Sequence, residues 1–156
     1  MLASYLDPQT EVEAPQIPDS IIYPFGLNQS QKLAVERALS SKISIIQGPP
    51  GTGKTQTILN IIANVIRSGQ TVAVVSNNNS ATHNVAEKLE RKNAAFLTAF
   101  LGSMANKQKF LEDQTDTYPD MKDWEITEEE RAQLCQQTTA LSAELNEMLN
   151  AKNRIA

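Results

Sequence analysis

Residues 43–55 read ISIIQGPPGTGKT, a short β-branched apolar run followed by a glycine- and proline-rich turn that ends in Lys-Thr. The turn fits the pattern GxxxxGK[ST], with Gly48, Gly53, Lys54 and Thr55 in the defining places. The pattern is informative because an expected strand precedes it and an expected helix follows it. The stretch therefore predicts a phosphate-binding loop between a strand and a helix.

The residue types of this loop meet the physical requirements of anion binding. Successive backbone N–H groups must face inward, and glycine allows the necessary backbone angles and close approach at little cost. The following helix adds the positive end of its dipole, Lys54 a full positive charge, and Thr55 a hydroxyl placed to bind Mg2+. Lys54 and Thr55 are thus the candidate catalytic residues, and Thr55 is the candidate metal ligand. The candidate nucleotide-binding residues of the loop are Gly48, Pro50, Gly51, Thr52, Gly53, Lys54, Thr55 and Gln56. The alternative is a glycine turn that binds nothing.

Composition narrows the class of protein. The 156 residues are 40% hydrophobic and 21% charged, which is typical of one globular domain. No apolar run approaches the ~18 residues of a spanning helix, and residues 1–10 lack the features of a signal peptide, so we expect a cytoplasmic protein without membrane contact. One Cys and one His exclude an internal disulfide and a His/Cys metal cluster. A net charge of -4 gives no general electrostatic footprint for nucleic acid.

Apolar runs and a helical pattern alternate along the chain. The sequence predicts a strand at residues 43–47, a helix at 55–67 and a second strand at 71–75, which together imply a right-handed crossover in a parallel sheet. The helix is expected to bury Ile58, Leu59, Ile61, Ile62, Val65 and Ile66. Residues 95–101 are a third short apolar run, predicted as a strand. The fold class is therefore α/β.

Residues 1–26 contain four prolines and no sustained periodicity, and they predict an extended lead-in that lies over the domain or is frayed from it. Tyr23 and Phe25 either pack on a core or flank a nucleotide base. Asn28 and Gln31 form a capping-box pattern before a helix that should end near Ser41. The Gln31 side chain either bonds back to the cap or reads a base edge, and the pattern leaves both roles open.

A polar loop, Asn77-Asn78-Asn79, follows the second predicted strand, at the edge where open parallel sheets place ligands. A helix is expected from residue 81 to 92. The three asparagines either form a strand-end turn and helix cap or contact a ligand.

The chain changes character towards its carboxyl end. Residues 112–126 are rich in acids and predict a linker, and residues 127–156 lack Gly and Pro and predict one long helix. Its apolar residues recur every seven positions, and we call them the heptad stripe: Leu134, Leu141, Met148 and Ile155. We expect the stripe to meet a second helix in a longer protein, or to mediate self-association.

Three segments, LNQSQ at residues 27–31, GPPGTGKT at 48–55 and VAVVSNNNSATHNVAEKL at 72–89, together resemble the first motor domain of superfamily 1 helicases. The resemblance covers residues 27 to about 92 and is greatest to the 5′-to-3′ branch that includes the nonsense-mediated-decay helicase. It implies a RecA-like P-loop NTPase sheet, incomplete here and spanning residues 27–111, followed by the long helix as the start of a stalk. It also implies ATP and Mg2+ as cofactors, with Gln31 contacting adenine and the loop holding the β- and γ-phosphates.

The resemblance extends to a segment that grips single-stranded DNA or RNA. The family pattern there is Pro-Ser-Asn, whereas this chain reads Asn77-Asn78-Asn79. Asn79 keeps the matching position and can bond a phosphate or sugar oxygen, so Asn79 and Asn78 are the candidate nucleic-acid-binding residues.

Two parts of such a motor are not found in the sequence. No apolar strand ending in Asp-Glu follows Thr55, and the arginines that stabilise the transferring phosphoryl group would come from a second motor domain. We therefore expect the chain alone to hardly hydrolyse ATP. The resemblance implies the ATP-binding amino-terminal part of an ATP-dependent DNA or RNA helicase, which couples hydrolysis to translocation on single-stranded nucleic acid. The alternatives are an AAA+ remodeller or a non-catalytic interaction module with a vestigial nucleotide site.

Overall fold

The structure, a computed structural model, describes residues 20–113 and 121–155. Most of the lead-in and the centre of the acidic linker therefore lie outside the described residues. The α-helices are α1 (Gln29–Ser40), α2 (Lys54–Arg67), α3 (Asn79–Glu90), α4 (Met104–Glu112) and α5 (Glu128–Ile155). Single 3-10 turns occur at Ala95–Leu97 and Lys122–Trp124. The described residues form two compact units, residues 20–72 with 135–155, and residues 73–113 with 121–134.

Of the five α-helices in the described ranges, four match the expectation from sequence. Helix α1 begins with the predicted capping box, in which Asn28 Oδ1 accepts from Gln31 N and Gln31 Oε1 accepts from Asn28 N. A second capping box precedes α5, where Thr127 Oγ1 accepts from Glu130 N and the Glu130 carboxylate accepts from Thr127 N. Each box satisfies two N–H groups that a helix start would leave unpaired. Local sequence thus decides where these helices begin.

The first unit has a small apolar core between α1 and α2. Val35 and Leu39 of α1 and Leu59 and Ile62 of α2 are buried. The expected burial of α2 is confirmed for Leu59 and Ile62, whereas Ile58 is 36% exposed and the other three apolar residues are half-buried. The second unit has a smaller core around Val85 and Leu89 of α3.

The predicted strands at residues 43–47 and 71–75 carry no regular secondary structure, and within residues 20–113 and 121–155 no strand is assigned. Most of their side chains are exposed, with Ile45 83% and Val75 89% exposed, whereas Ile46 is half-buried. A strand needs a neighbouring strand to satisfy its backbone groups, so an apolar run alone does not produce one. The parallel sheet stays a prediction.

The structure corrects the expectation for residues 95–113. The strand predicted at 95–101 is wrong at its start, because Ala95–Leu97 is a 3-10 turn in which Thr98 N donates to Ala95 O at 2.9 Å. Helix α4 was not predicted at all. Its local signal is Ser103, whose hydroxyl accepts from Asn106 N at 3.1 Å as an N-cap.

The described part of the lead-in, residues 20–26, is held by polar side chains of α2. Asn64, which is fully buried, accepts from Ile22 N at 2.9 Å and donates to Ile22 O at 2.8 Å. Asn60, also fully buried, accepts from Phe25 N and donates to Gly26 O. These bonds replace the partners that a neighbouring strand would give. Residues 20–26 therefore lie over the first unit. This agrees with the first of the two expectations for the lead-in, that it lies over the domain and is not frayed from it.

No helix within the two described ranges is long and apolar enough to cross a membrane.

Candidate nucleotide-binding site

The loop of residues 48–53 leads directly into α2, so the expected junction of loop and helix is present. Gly51 and Gly53 have φ of 85° and 80°, in the left-handed region that favours glycine. Gly53 is the N-cap of α2 and supplies no side-chain oxygen to the first N–H groups, and no acid lies in the first turn. Within the described residues, neither the N-cap nor the first turn of α2 places a carboxylate or a capping side chain at the positive end of the helix dipole.

Lys54 lies across the loop that precedes it. Its ammonium donates to the carbonyl oxygens of Gly48 and, at 2.8 Å, of Pro49. Thr52 closes the same turn, because its hydroxyl donates to Pro49 O at 2.9 Å. A Cβ built on Gly48 would lie 2.6 Å from Thr52 Oγ1, so this position has no room for a side chain. A positive charge and a tight turn thus occupy the same few residues.

Thr55 follows in the first turn of α2 and is half-buried. Among the described residues its hydroxyl has no hydrogen-bond partner, and no group of three or more His, Cys, Asp or Glu residues could hold a metal. A hydroxyl beside a triphosphate site suits Mg2+, which keeps few protein ligands and takes the rest from phosphate and water. The residues present therefore fit a metal that arrives with the nucleotide.

Gln31 is buried and contacts the loop, although it lies more than 20 residues earlier in the chain. Its Nε2 donates to Thr52 O at 3.2 Å and to Gly53 O at 3.4 Å, and its Oε1 accepts from Asn28 N at 2.8 Å. A Cβ on Gly53 would lie 1.9 Å from this Nε2, so the approach itself requires glycine. The capping role of Gln31 is confirmed, and its adenine contact stays a prediction.

Gln56, a candidate nucleotide-binding residue, makes contacts within the protein. Its Nε2 donates to Phe25 O, and its Oε1 accepts from Gln31 Nε2 at 3.3 Å. Pro50 and Gly51 are exposed at the tip of the loop. The structure therefore brings Gln31, Gln56 and the loop together in one unit.

Tyr23 and Phe25 are both half-buried beside this unit's helices. Burial, and to a lesser extent the nearby Glu36 carboxylate, together raise the pKa of the Tyr23 hydroxyl to about 12. Tyr23 is therefore neutral at physiological pH. The backbone of Phe25 is fixed by Asn60 and Gln56. A role beside a base stays open for both.

Sequence analysis missed Asn60, Asn64 and Arg67 as organising residues of the first unit. Arg67 donates to Ser20 O and, at 2.8 Å, to Ser20 Oγ. The available signal was a line of polar residues at positions 56, 60, 64 and 67 in a helix that is mostly apolar after its first turn. At 3.6 residues per turn these positions share one face.

The second unit contains the candidate nucleic-acid-binding loop. Asn78 is the N-cap of α3, and its Oδ1 accepts from Ser80 N at 3.0 Å and from Ser80 Oγ at 2.6 Å. Asn79 is the first residue of α3 and is exposed, and its side chain has no hydrogen-bond partner among the described residues. The capping role predicted for this loop is confirmed at Asn78, and Asn79 has the freer amide.

Similar proteins exist in eukaryotes and archaea. The chain is 43% identical over 81 residues to "Regulator of nonsense transcripts 1 homolog" of Drosophila melanogaster, covering 51% of this chain and 6% of that protein. It is 42% identical over 81 residues to "DNA-binding protein SMUBP-2" of Rattus norvegicus, covering 51% and 8%. It is 43% identical over 72 residues to an uncharacterized ATP-dependent helicase of Methanocaldococcus jannaschii, covering 45% and 11%.

These relatives confirm the resemblance to superfamily 1 helicases, over part of the chain. The chain spans about a tenth or less of the length of each of these three proteins. No solved structure gives a significant match. The family model described as "AAA domain" matches residues 26–155. Because this match covers well over half of the sequence and includes the loop, Gln31 and the long helix, the chain belongs to that P-loop family.

Proposed function

We propose that this chain binds ATP with Mg2+ and forms the nucleotide-binding part of an ATP-dependent DNA or RNA helicase. The observation that carries the proposal is the loop of residues 48–53 at an uncapped α2 N-terminus, with Lys54 folded across it. The archaeal relative is an ATP-dependent helicase, which favours this class over an AAA+ remodeller or a non-catalytic module.

Most of the candidate residues have a direct role in the proposed site, whereas both ends of the Gln56 amide are bound within the protein. The backbone of the loop at Gly48, Pro50 to Gly53 and Lys54 surrounds the β- and γ-phosphates. Pro50 has no N–H and contributes only shape. The Lys54 ammonium exchanges its carbonyl partners for phosphate oxygens, which are stronger acceptors because they are charged. The Thr55 hydroxyl binds Mg2+. Gln31 reads adenine through its carboxamide.

The proposed nucleic-acid contact lies in the other unit. Asn79 is the first choice for bonding a phosphate or sugar oxygen of a single strand, because its amide is exposed and unshared among the described residues. Asn78 is the second choice, since its Oδ1 already caps α3 and leaves the amide hydrogens for a ligand. The whole protein would couple hydrolysis of ATP to movement along that strand.

Calorimetric titration of the 156-residue chain with ATP, with and without Mg2+, tests the proposal together with a phosphate-release assay. We expect saturable binding with a dissociation constant of about 1 mM or tighter, strengthened by Mg2+, and phosphate release close to the uncatalysed background. Absence of binding, or binding indifferent to the metal, would contradict the proposal. Rapid release of phosphate would show that the chain supplies its own acid and would refute the expected inactivity.

A further inference from the structure

A chain of hydrogen bonds runs through two side-chain amides from the lead-in to the start of α1. Phe25 O accepts from Gln56 Nε2, Gln56 Oε1 accepts from Gln31 Nε2 at 3.3 Å, and Gln31 Oε1 accepts from Asn28 N at 2.8 Å. We call these four groups the amide chain. The candidate phosphate-binding loop contacts it at one point, Gln31 Nε2.

The two ends of the amide chain fix the direction of both side chains. Phe25 O can only accept, so it requires the NH2 group of Gln56 and turns Gln56 Oε1 towards Gln31. Asn28 N can only donate, so it requires the oxygen of Gln31 and turns Gln31 Nε2 towards Gln56 and the loop. If the oxygen and nitrogen of either amide were exchanged, a donor would face a donor at one end of that amide and an acceptor would face an acceptor at the other end. Only one arrangement satisfies all four groups.

The Gln31 amide in this arrangement orients the peptide groups of the loop. Gln31 Nε2 lies 3.2 Å from Thr52 O and 3.4 Å from Gly53 O. The C=O and N–H of a trans peptide point in opposite directions, and the described residues contain no cis peptide. The N–H groups of Gly53 and Lys54 therefore point away from Gln31. These two amides belong to the proposed cradle for the phosphates.

We propose that Gln56 is a positioning residue of the phosphate-binding loop, which acts by holding the Gln31 carboxamide against the carbonyls of Thr52 and Gly53. This inference rests on the proposed function, because it concerns the same ATP site. Gln56 has both ends of its amide bound within the protein and acts through Gln31 without touching the nucleotide. Loss of the Gln56 amide removes one of the three acceptors that share the two hydrogens of Gln31 Nε2, so the Gln31 amide is no longer held in one direction from that side and can turn away from the loop carbonyls.

The test is Gln56→Met, which keeps the length of the side chain, removes both hydrogen bonds and adds no charge beside an anion. We expect the affinity for ATP to fall about five- to tenfold, the equivalent of about one hydrogen bond. The affinity for inorganic tripolyphosphate should also fall about five- to tenfold, because the loop is changed and this ligand has no base. Gln70→Met is the matched control, since Gln70 is exposed on the turn after α2.

A double-mutant cycle separates positioning from a direct contact. In a Gln31→Ala background, Gln56→Met should have no further effect on either ligand, because the side chain it positions is gone. Equal losses with and without Gln31, or a loss for ATP alone, would overturn the inference. A lower melting temperature with unchanged affinities would also overturn it, as a purely structural role. ATP binding by Lys54→Ala is measured in parallel. If the wild type binds ATP and Lys54→Ala does not, the proposed function holds even when the Gln56 variants contradict the positioning role.

Discussion

Single residues decide whether the loop can hold an anion, and two of them are constrained twice. Gly53 needs its left-handed φ of 80°, and a Cβ at this position would also displace the Gln31 amide from its contacts with the loop. Gln31 both caps α1 and braces the loop. The sequence motif predicts the glycine and the lysine, whereas the contact between Gln31 and the loop depends on the packing of α1 on α2.

Gln31→Ala separates the contact of Gln31 with the loop from its proposed contact with adenine. The loss of the brace should weaken binding of ATP, GTP and CTP by a common factor, and the loss of the adenine contact should weaken ATP more than the other two. Competition of the three triphosphates against a fluorescent ATP analogue measures both effects. An unchanged preference among the bases would restrict Gln31 to its cap and brace.

Tyr23→Phe tests the environment of the lead-in. The pKa of Tyr23 is raised from 10.0 to about 12, so the folded state holds its proton more tightly than the unfolded state. The stabilisation of the folded state by the protonated Tyr23 hydroxyl is fully present below pH 10 and is lost as the pH rises from 10 to 12. We expect the free energy of unfolding of the wild type to fall in this window relative to Tyr23→Phe, measured by urea denaturation. Parallel pH curves would show that Tyr23 is not buried beside Glu36.

At the scale of elements, α2 connects the loop to the lead-in. Its first turn ends the loop, its apolar residues pack on α1, and its polar face binds the backbone of residues 20–26. The helices were predictable because caps and periodicity are local. The polar face was not, because a buried asparagine in a sequence looks the same as an exposed one.

Asn64→Leu should lower the free energy of unfolding by about 2–4 kcal/mol, because it leaves the N–H and C=O of the half-buried Ile22 without their partner. Thermal or urea denaturation measures the change. Asn84→Leu is the control, since Asn84 is an exposed helical asparagine in α3 and should change stability by less than about 0.5 kcal/mol. Equal stabilities of the two variants would show that the hydrogen bonds of Asn64 to Ile22 do not stabilise the fold.

At the scale of the whole molecule, many large apolar side chains of the described residues stay exposed to solvent. Leu141 and Met148 of the heptad stripe are 64% and 60% exposed, and Ile45 and Val75 in the predicted strands are more exposed still. The side chain of Ile155 lies outside the described set. The sheet and a partner for the stripe stay predictions, because both depend on contacts between distant parts of a chain, which local sequence does not encode.

Family membership and the order of the motifs could be predicted from the sequence, because the three segments at residues 27–31, 48–55 and 72–89 are short, contiguous and chemically specific. The part that could not be predicted is long-range. It includes the contact of Gln56 with Phe25, which spans 31 positions, and the contact of Asn64 with Ile22, which spans 42.

Calorimetric titration of Mg2+-ATP into the wild type, Lys54→Ala and Lys42→Ala is the most direct test of the loop as a triphosphate site. Lys54 lies across the loop, whereas Lys42 is exposed at the end of α1 and provides the matched loss of charge. We predict that Lys54→Ala weakens binding about ten- to a hundredfold, or about 1.4–2.8 kcal/mol, and that Lys42→Ala binds as the wild type does. Equal affinity of the wild type and Lys54→Ala would contradict the assignment of residues 48–55 as the phosphate-binding loop.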